Sequence, residues 1–181
     1  MQKQEAYLLQ EIISMEILTG GLYFISDAFF QKVQDPYLKI NYEDTKRPHY
    51  FAFNDNKNGL YWLVPCSSKI EKFEQLIRKK QEQHKPTDAI KIVKIFNAKT
   101  VLLFQDMFPV TASYISGQYI KGGQPVKIAD PKLIHELEKT AHKIIILLHK
   151  GIRFTPTQPD ILKIEQIMLK EKKDSPSQGM T

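Results

Sequence analysis

Residues 47–70 read RPHYFAFNDNKNGLYWLVPCSSKI, and this stretch decides the fold. His49 to Phe53 is rich in aromatic residues that suit a pleated, packed surface. Asn54-Asp55-Asn56-Lys57-Asn58-Gly59 is a dense turn signal, since Asn, Asp and Gly tolerate the backbone angles of tight turns. Leu60 to Val64 then returns as a second strand. The segment is an antiparallel hairpin, and in a hairpin the start of one strand lies beside the end of the other. Arg47 and His49 should therefore sit near Cys66, Ser67, Ser68 and Lys69. Ser68 followed by Glu71 has the spacing of a capping box, so a helix is expected to begin here and to bury Ile70, Phe73, Leu76 and Ile77.

Outward from the hairpin, Leu22 to Ile25 reads as a strand, and Asp27 as the cap of a short helical turn through Phe29, Phe30 and Val33. Residues 34–46 are polar and irregular. Ile90 to Ile95 and Val101 to Phe104 form a second hairpin around Asn97-Ala98-Lys99. Met107 to Ile115 reads as a loop with a helical turn, and Val126 to Ile128 as a short strand. Asp130-Pro131 starts a helix whose apolar face runs from Leu133 to Leu148 and which Gly151 ends. A second amphipathic helix spans residues 159–170. The expected fold is α+β: a compact, bent antiparallel sheet or SH3-like barrel with helices packed outside it. Residues 1–20 read as an N-terminal extension with a possible start at Met15, residues 21–170 as one domain, and residues 171–181 as a disordered tail.

The whole-chain quantities narrow the function classes. A chain of 181 residues suits one domain with a real core. Cys66 is the single cysteine, so no intrachain disulfide exists, and it reads as a small buried residue at a strand end. No apolar run approaches the ~20 residues that cross a bilayer. The N-terminus lacks the pattern of a secretory signal, which makes the expected compartment cytoplasmic. The net charge of +6 permits a nucleic-acid partner without demanding one.

Candidate chemistry is concentrated in two places. Ser67, Ser68 and Lys69, between a strand and a helix, combine hydroxyls, a cation and free amides that suit a phosphate. Lys46-Arg47-Pro48-His49 adds a guanidinium that can grip a phosphate with two donors and an imidazole that titrates near neutrality. The basic face of the following helix, with Lys72, Arg78, Lys79 and Lys80, is a further candidate RNA contact. No metal site is indicated. His135, His142 and His149 share a helix face but recur every seven residues, about 10 Å apart, too far to share an ion.

At these residues the chain resembles the ToxN/CptN/AbiQ endoribonucleases, the toxins of type III toxin–antitoxin systems, with the CptN branch the nearest likeness. The resemblance runs from about Leu22 to Leu169. Its carriers are Leu22-Tyr23-Phe24, Arg47-Pro48-His49-Tyr50-Phe51, Trp62 to Ile70, and Gln105 to Thr111. It implies a MazF-like barrel and metal-independent, cofactor-free cleavage of target mRNA, leaving 2′,3′-cyclic phosphate and 5′-hydroxyl ends. It also implies a repeated, pseudoknotted RNA antitoxin, cut from its precursor by the toxin and then assembled with it into a closed toxin–RNA complex. By this resemblance the catalytic set is Ser67, Ser68 and Lys69 with Arg47 or His49. A tyrosine that some members carry after the first strand is replaced here by Phe29 and Phe30, with Tyr23 nearby. Two other readings need no such chemistry: a non-catalytic RNA-binding module, and a toxin-like protein that acts on a protein target.

Overall fold

In a computed structural model, which describes residues 16–175, the order is β1 (Leu22–Ile25), α1 (Asp27–Val33), β2 (Pro48–Asn54), β3 (Tyr61–Ser67), α2 (Ile70–Glu82), β4 (Ile90–Ile95), β5 (Ala98–Leu103), β6 (Phe108–Val110), β7 (Ile115–Gln118), β8 (Ile120–Lys121), β9 (Gln124–Pro125), α3 (Pro131–His149) and α4 (Ile161–Asp174). The class is α+β, as expected. A seven-stranded antiparallel sheet runs β4-β5-β3-β2-β1-β7, and β6 also joins β3.

The central hairpin forms with the expected juxtaposition, His49 opposite Pro65. The second edge of β3 is shared. Its first half, Tyr61 to Leu63, pairs with β6, and its last residues, Cys66 and Ser67, pair with Leu102 and Val101 of β5. Between these contacts only Val64 and Pro65 face the five residues from Leu103 to Met107. The excess is taken up by a 3-10 turn at Phe104–Asp106. Pro65 has no N–H to donate, so this is where the ladder on β3 can be interrupted at least cost.

The interruption divides the interior. A large apolar core lies between the main sheet, α1, α3 and α4, and includes Tyr23, Phe29, Tyr50, Trp62, Phe108 and Ile144. A smaller one, Phe73, Ile90, Val101 and Leu103, lies between α2 and the β4–β5 hairpin. Strand alternation makes β5 the shared wall: Val101 and Leu103 face the small core and Leu102 the large one. α3 packs on β2 and α4 on β6, and the side chains on both faces of β2 are buried. Its residues from His49 to Phe53 are all buried.

Several expectations are corrected. Ser26, not Asp27, stands at the N-cap of α1; Asp27 lies within the first turn and accepts from Asn41 Nδ2 at 2.8 Å. The capping box at Ser68 does not form: Lys69 occupies the N-cap without a side-chain cap bond, and the Ser67 Oγ accepts from the Lys69 N–H at 3.3 Å. The second hairpin turns one register tighter, on Phe96-Asn97, with Ile95 opposite Ala98. Residues 108–110 are a strand rather than a loop. Val126 to Ile128 makes only an isolated antiparallel bridge, Gly21 opposite Lys127. Instead Gln124–Pro125 pairs with Ile120–Lys121 across Gly122-Gly123, whose φ values of 58° and 76° fit a two-residue hairpin turn that glycine adopts without strain.

The domain edges also move. Residues 16–20 belong to the fold: the Leu18 N–H donates to the Tyr23 hydroxyl at 2.9 Å, and Ile17 packs on the large core. Met15 and the residues before it lie outside the described residues. α4 continues to Asp174, so the tail does not begin at Glu171. Glu171 is held by the Tyr114 hydroxyl, which donates at 2.8 Å, and by Lys32 at 3.3 Å.

Candidate functional site

The start of β2 and the end of β3 open onto a cleft of about 350 Å³. Arg47, just before β2, sets its geometry. One terminal guanidinium nitrogen, Nη1, donates to the Cys66 carbonyl at 2.8 Å, and the other, Nη2, to the Tyr42 hydroxyl at 2.7 Å. The guanidinium carbon lies 5.1 Å from the centre of the Tyr42 ring. The Arg47 backbone N–H donates to Asn41 Oδ1 at 3.0 Å, and Asn41 Nδ2 donates to the Ile25 carbonyl at 2.9 Å. The irregular 41–47 segment is thereby fastened to β1, and the cation has a fixed direction.

Four parts of the chain line the cleft. The 42–47 segment supplies Tyr42, Thr45, Lys46 and Arg47. The β3–α2 junction supplies Ser67, Ser68 and Lys69. The β4–β5 turn supplies Phe96, Lys99 and Thr100, and the region around β8 supplies Tyr119 and Lys121. Ser68 and Lys69 are exposed and Ser67 is half-buried. The lining carries Lys46, Arg47, Lys69, Lys99 and Lys121 and no carboxylate. Lys99 is paired with Glu74 of α2 at 2.9 Å. Among the described residues, Lys46, Arg47, Lys69 and Lys121 have no carboxylate within salt-bridge distance. Such a one-signed cleft, with hydroxyls at its centre, concentrates anions.

His49 is not part of this site. It points into the large core, fully buried, edge-on to Phe108 with ring centres 5.3 Å apart and near Phe30 at 6.4 Å. Burial, reinforced by the Arg47 charge, lowers its pKa from 6.5 to about 3, which keeps the imidazole neutral. The expectation that His49 serves as acid, base or phosphate ligand is overturned, and of the pair Arg47/His49 only Arg47 reaches the cleft. Tyr23 is likewise buried, its hydroxyl engaged by Leu18. Cys66 is buried beneath the Arg47 contact, and burial pushes its thiol pKa up to about 12, so no thiolate is available there.

The basic face of α2 is only partly gathered. Lys79 and Lys80 line a different cleft of about 580 Å³ between α2 and α3, together with Lys85, Lys143, Arg153 and one carboxylate, Asp88. Lys72 lies 5.7 Å from the centre of the Phe73 ring. Lys72 and Arg78 are exposed and line neither cleft. The three α3 histidines serve separate surroundings: His142 stacks on Phe53 at 4.0 Å and His149 bonds Glu165 of α4 at 2.7 Å, while His135 is exposed. No group of three metal-ligating side chains occurs among the described residues, and no helix among them is long and apolar enough to cross a membrane. The sequence reading missed Tyr42, Phe96, Lys99, Tyr119 and Lys121, which come from separate segments and share no motif.

No protein-family model matches the chain, and no curated protein sequence matches it either. A solved structure does share the fold. It is AbiQ, a lactococcal anti-phage endoribonuclease belonging to a type III toxin–antitoxin system, which superimposes with a TM-score of 0.67. The match covers 86% of this chain and 99% of AbiQ at 14% sequence identity. At that identity the likeness establishes a common architecture.

Proposed function

We propose that the chain is an endoribonuclease toxin of the type III kind, cutting RNA in the cleft between Arg47 and Lys69. The observation that carries the reading is the cleft itself: five cations, no carboxylate, and the Ser67 and Ser68 hydroxyls beside Lys69, on a fold shared with an endoribonuclease. The lining has no carboxylate to recruit a divalent ion, so the reaction proposed is the one in which RNA supplies its own nucleophile. The ribose 2′-oxygen attacks the adjacent phosphorus and the bond to the 5′-oxygen breaks. A proton leaves the 2′-hydroxyl and another reaches the departing 5′-oxygen. The products are a 2′,3′-cyclic phosphate and a 5′-hydroxyl.

Arg47 and Lys69 are assigned to the extra negative charge of the phosphorane. Arg47 suits this because its contacts to Cys66 and Tyr42 fix the guanidinium before substrate arrives. Ser67 and Ser68 hold the non-bridging oxygens. With His49 buried, the side chains left to move protons are the cleft lysines, Lys69 nearest the serines in sequence, and the phenols of Tyr42 and Tyr119. The natural partners on this reading are a target mRNA and a repeated RNA antitoxin that occupies the same cleft and closes with the toxin into one assembly.

One observation favours a second reading. The lining holds neither imidazole nor carboxylate, the usual proton-transfer groups, so a module that binds RNA without cutting it also fits. A toxin acting on a protein target has no comparable support, because it gives the unpaired lysines no task. The deciding experiment incubates the purified chain with mixed-sequence RNA in EDTA and maps the ends. Cyclic-phosphate ends that vanish in Arg47→Ala and Lys69→Ala support catalysis. Tight, salt-sensitive binding of RNA that stays intact would establish the binding module instead.

A further inference from the structure

The β4–β5 turn contains a residue that local energetics disfavour. Phe96 sits at a φ of 54°, a conformation that a bulky side chain rarely adopts, while Asn97 beside it is the type that would tolerate it. Its ring is 48% exposed and packs against neither apolar core. Strain and exposure at one residue give the fold nothing. What the turn does achieve is placement: Phe96 lines the cationic cleft together with Ser67, Ser68, Lys69 and Lys99. A flat apolar face beside free cations is what an unpaired nucleobase needs when its neighbouring phosphate is held.

We infer that Phe96 is a base-stacking platform, receiving the base of an unpaired nucleotide next to the phosphate held by Ser67, Ser68 and Lys69. This rests on the reading of the cleft as an RNA site and adds to it a substrate class: RNA that is single-stranded at that nucleotide. The lysines grip the backbone in any sequence, whereas the ring requires a base that has left its own stack. Duplex RNA, whose bases are already stacked and paired, leaves the platform empty and gains only the phosphate contacts.

The test measures anisotropy of a labelled, uncleavable single-stranded 2′-O-methyl RNA of mixed sequence, beside a fully abasic oligonucleotide of equal length. Phe96→Gly should weaken binding of the base-bearing strand by about tenfold or more, leave the abasic strand unaffected, and keep the salt dependence unchanged, because no phosphate contact is lost. The same variant should melt higher than wild type, since glycine relieves the positive φ; a residue retained for structure would show the opposite. Phe96→Trp should restore binding, and its indole emission should be quenched by the base-bearing strand alone. Equal losses on both strands, or wild-type affinity in Phe96→Gly, would overturn the platform. Lys69→Ala separates the two levels. If it weakens both strands while Phe96→Gly weakens neither, the RNA cleft stands and the platform falls. If wild type binds neither strand, both fall.

Discussion

The buried imidazole of His49 makes a quantitative statement about acid stability. In the folded chain its pKa is about 3, and in the unfolded chain it returns to 6.5. Below pH 6.5 the unfolded state takes up a proton that the folded state refuses, so stability is full above that value and is lost as pH falls toward 3. Between pH 7.5 and pH 5 the loss from this residue alone is about 2 kcal/mol, and near pH 5 the slope approaches ~1.4 kcal/mol per pH unit. In a domain of this size that lowers the melting temperature by roughly 4–8 °C. The perturbation is His49→Leu, similar in volume and suited to the surrounding Phe30 and Phe108. At pH 7.5 it should come close to wild type, because the ring nitrogens of His49 make no well-formed hydrogen bond and have only the nearby Arg47 and Tyr23 backbone to favour them. At pH 5 its stability relative to wild type should be about 2 kcal/mol higher than at pH 7.5. Urea titrations followed by Trp62, the single tryptophan and nearly fully buried, give both values. Subtracting the two proteins removes every carboxylate they share. Parallel pH curves for wild type and His49→Leu would refute the argument. His49→Leu should also cleave RNA at close to the wild-type rate, as befits a residue outside the cleft.

Lys69→Ala should reduce single-turnover cleavage by about a hundredfold or more while shifting stability by no more than about 0.5 kcal/mol; paired cleavage and melting curves check both. Ser68→Ala should leave the melting temperature within error, since Ser68 makes no cap, and any loss of cleavage then reports on the phosphate. Lys121→Ala should lower the salt slope of RNA binding by about one counterion. Lys79→Ala with Lys80→Ala should leave cleavage of a short oligonucleotide within about twofold of wild type, because both line the other cleft. Loss of short-substrate cleavage in that double variant would place α2 in the site after all.

The hairpin of β2 and β3 was readable because a turn-forming run of Asn, Asp and Gly separates two aromatic stretches. The meeting of Arg47 with Ser67 to Lys69 followed from antiparallel pairing alone. The same reading failed at His49 for a definite reason: β2 is covered on both faces, so every residue from His49 to Phe53 is inside and no alternation reveals where a side chain points. β6 escaped because it is three residues long with Pro109 in the middle, a residue that normally argues against a strand. The Phe96 turn was misplaced by one register because phenylalanine at positive φ contradicts propensity. That local conflict is itself the mark of the proposed subsite. Lys121 sits in the hairpin across Gly122-Gly123, and Tyr119 before it is fastened to the backbone of Leu22, a long-range contact that no spacing announces.

The break in the ladder opposite Pro65 has a mechanical consequence. The two jaws of the cleft are not equally founded: Arg47, Tyr119 and Lys121 stand on the large core, Lys69 leads into α2, which packs through Phe73 on the small core, and Phe96 and Lys99 stand on the β4–β5 hairpin, which shares its side chains between the two. A cavity cut into the small core by Phe73→Ala costs roughly 3–5 kcal/mol, and that loss falls on one jaw. Amide exchange should accelerate across α2 and the β4–β5 hairpin while β1, β2 and α3 keep their protection. The enzyme proposed here would then lose its grip on RNA at temperatures where most of the molecule is still folded.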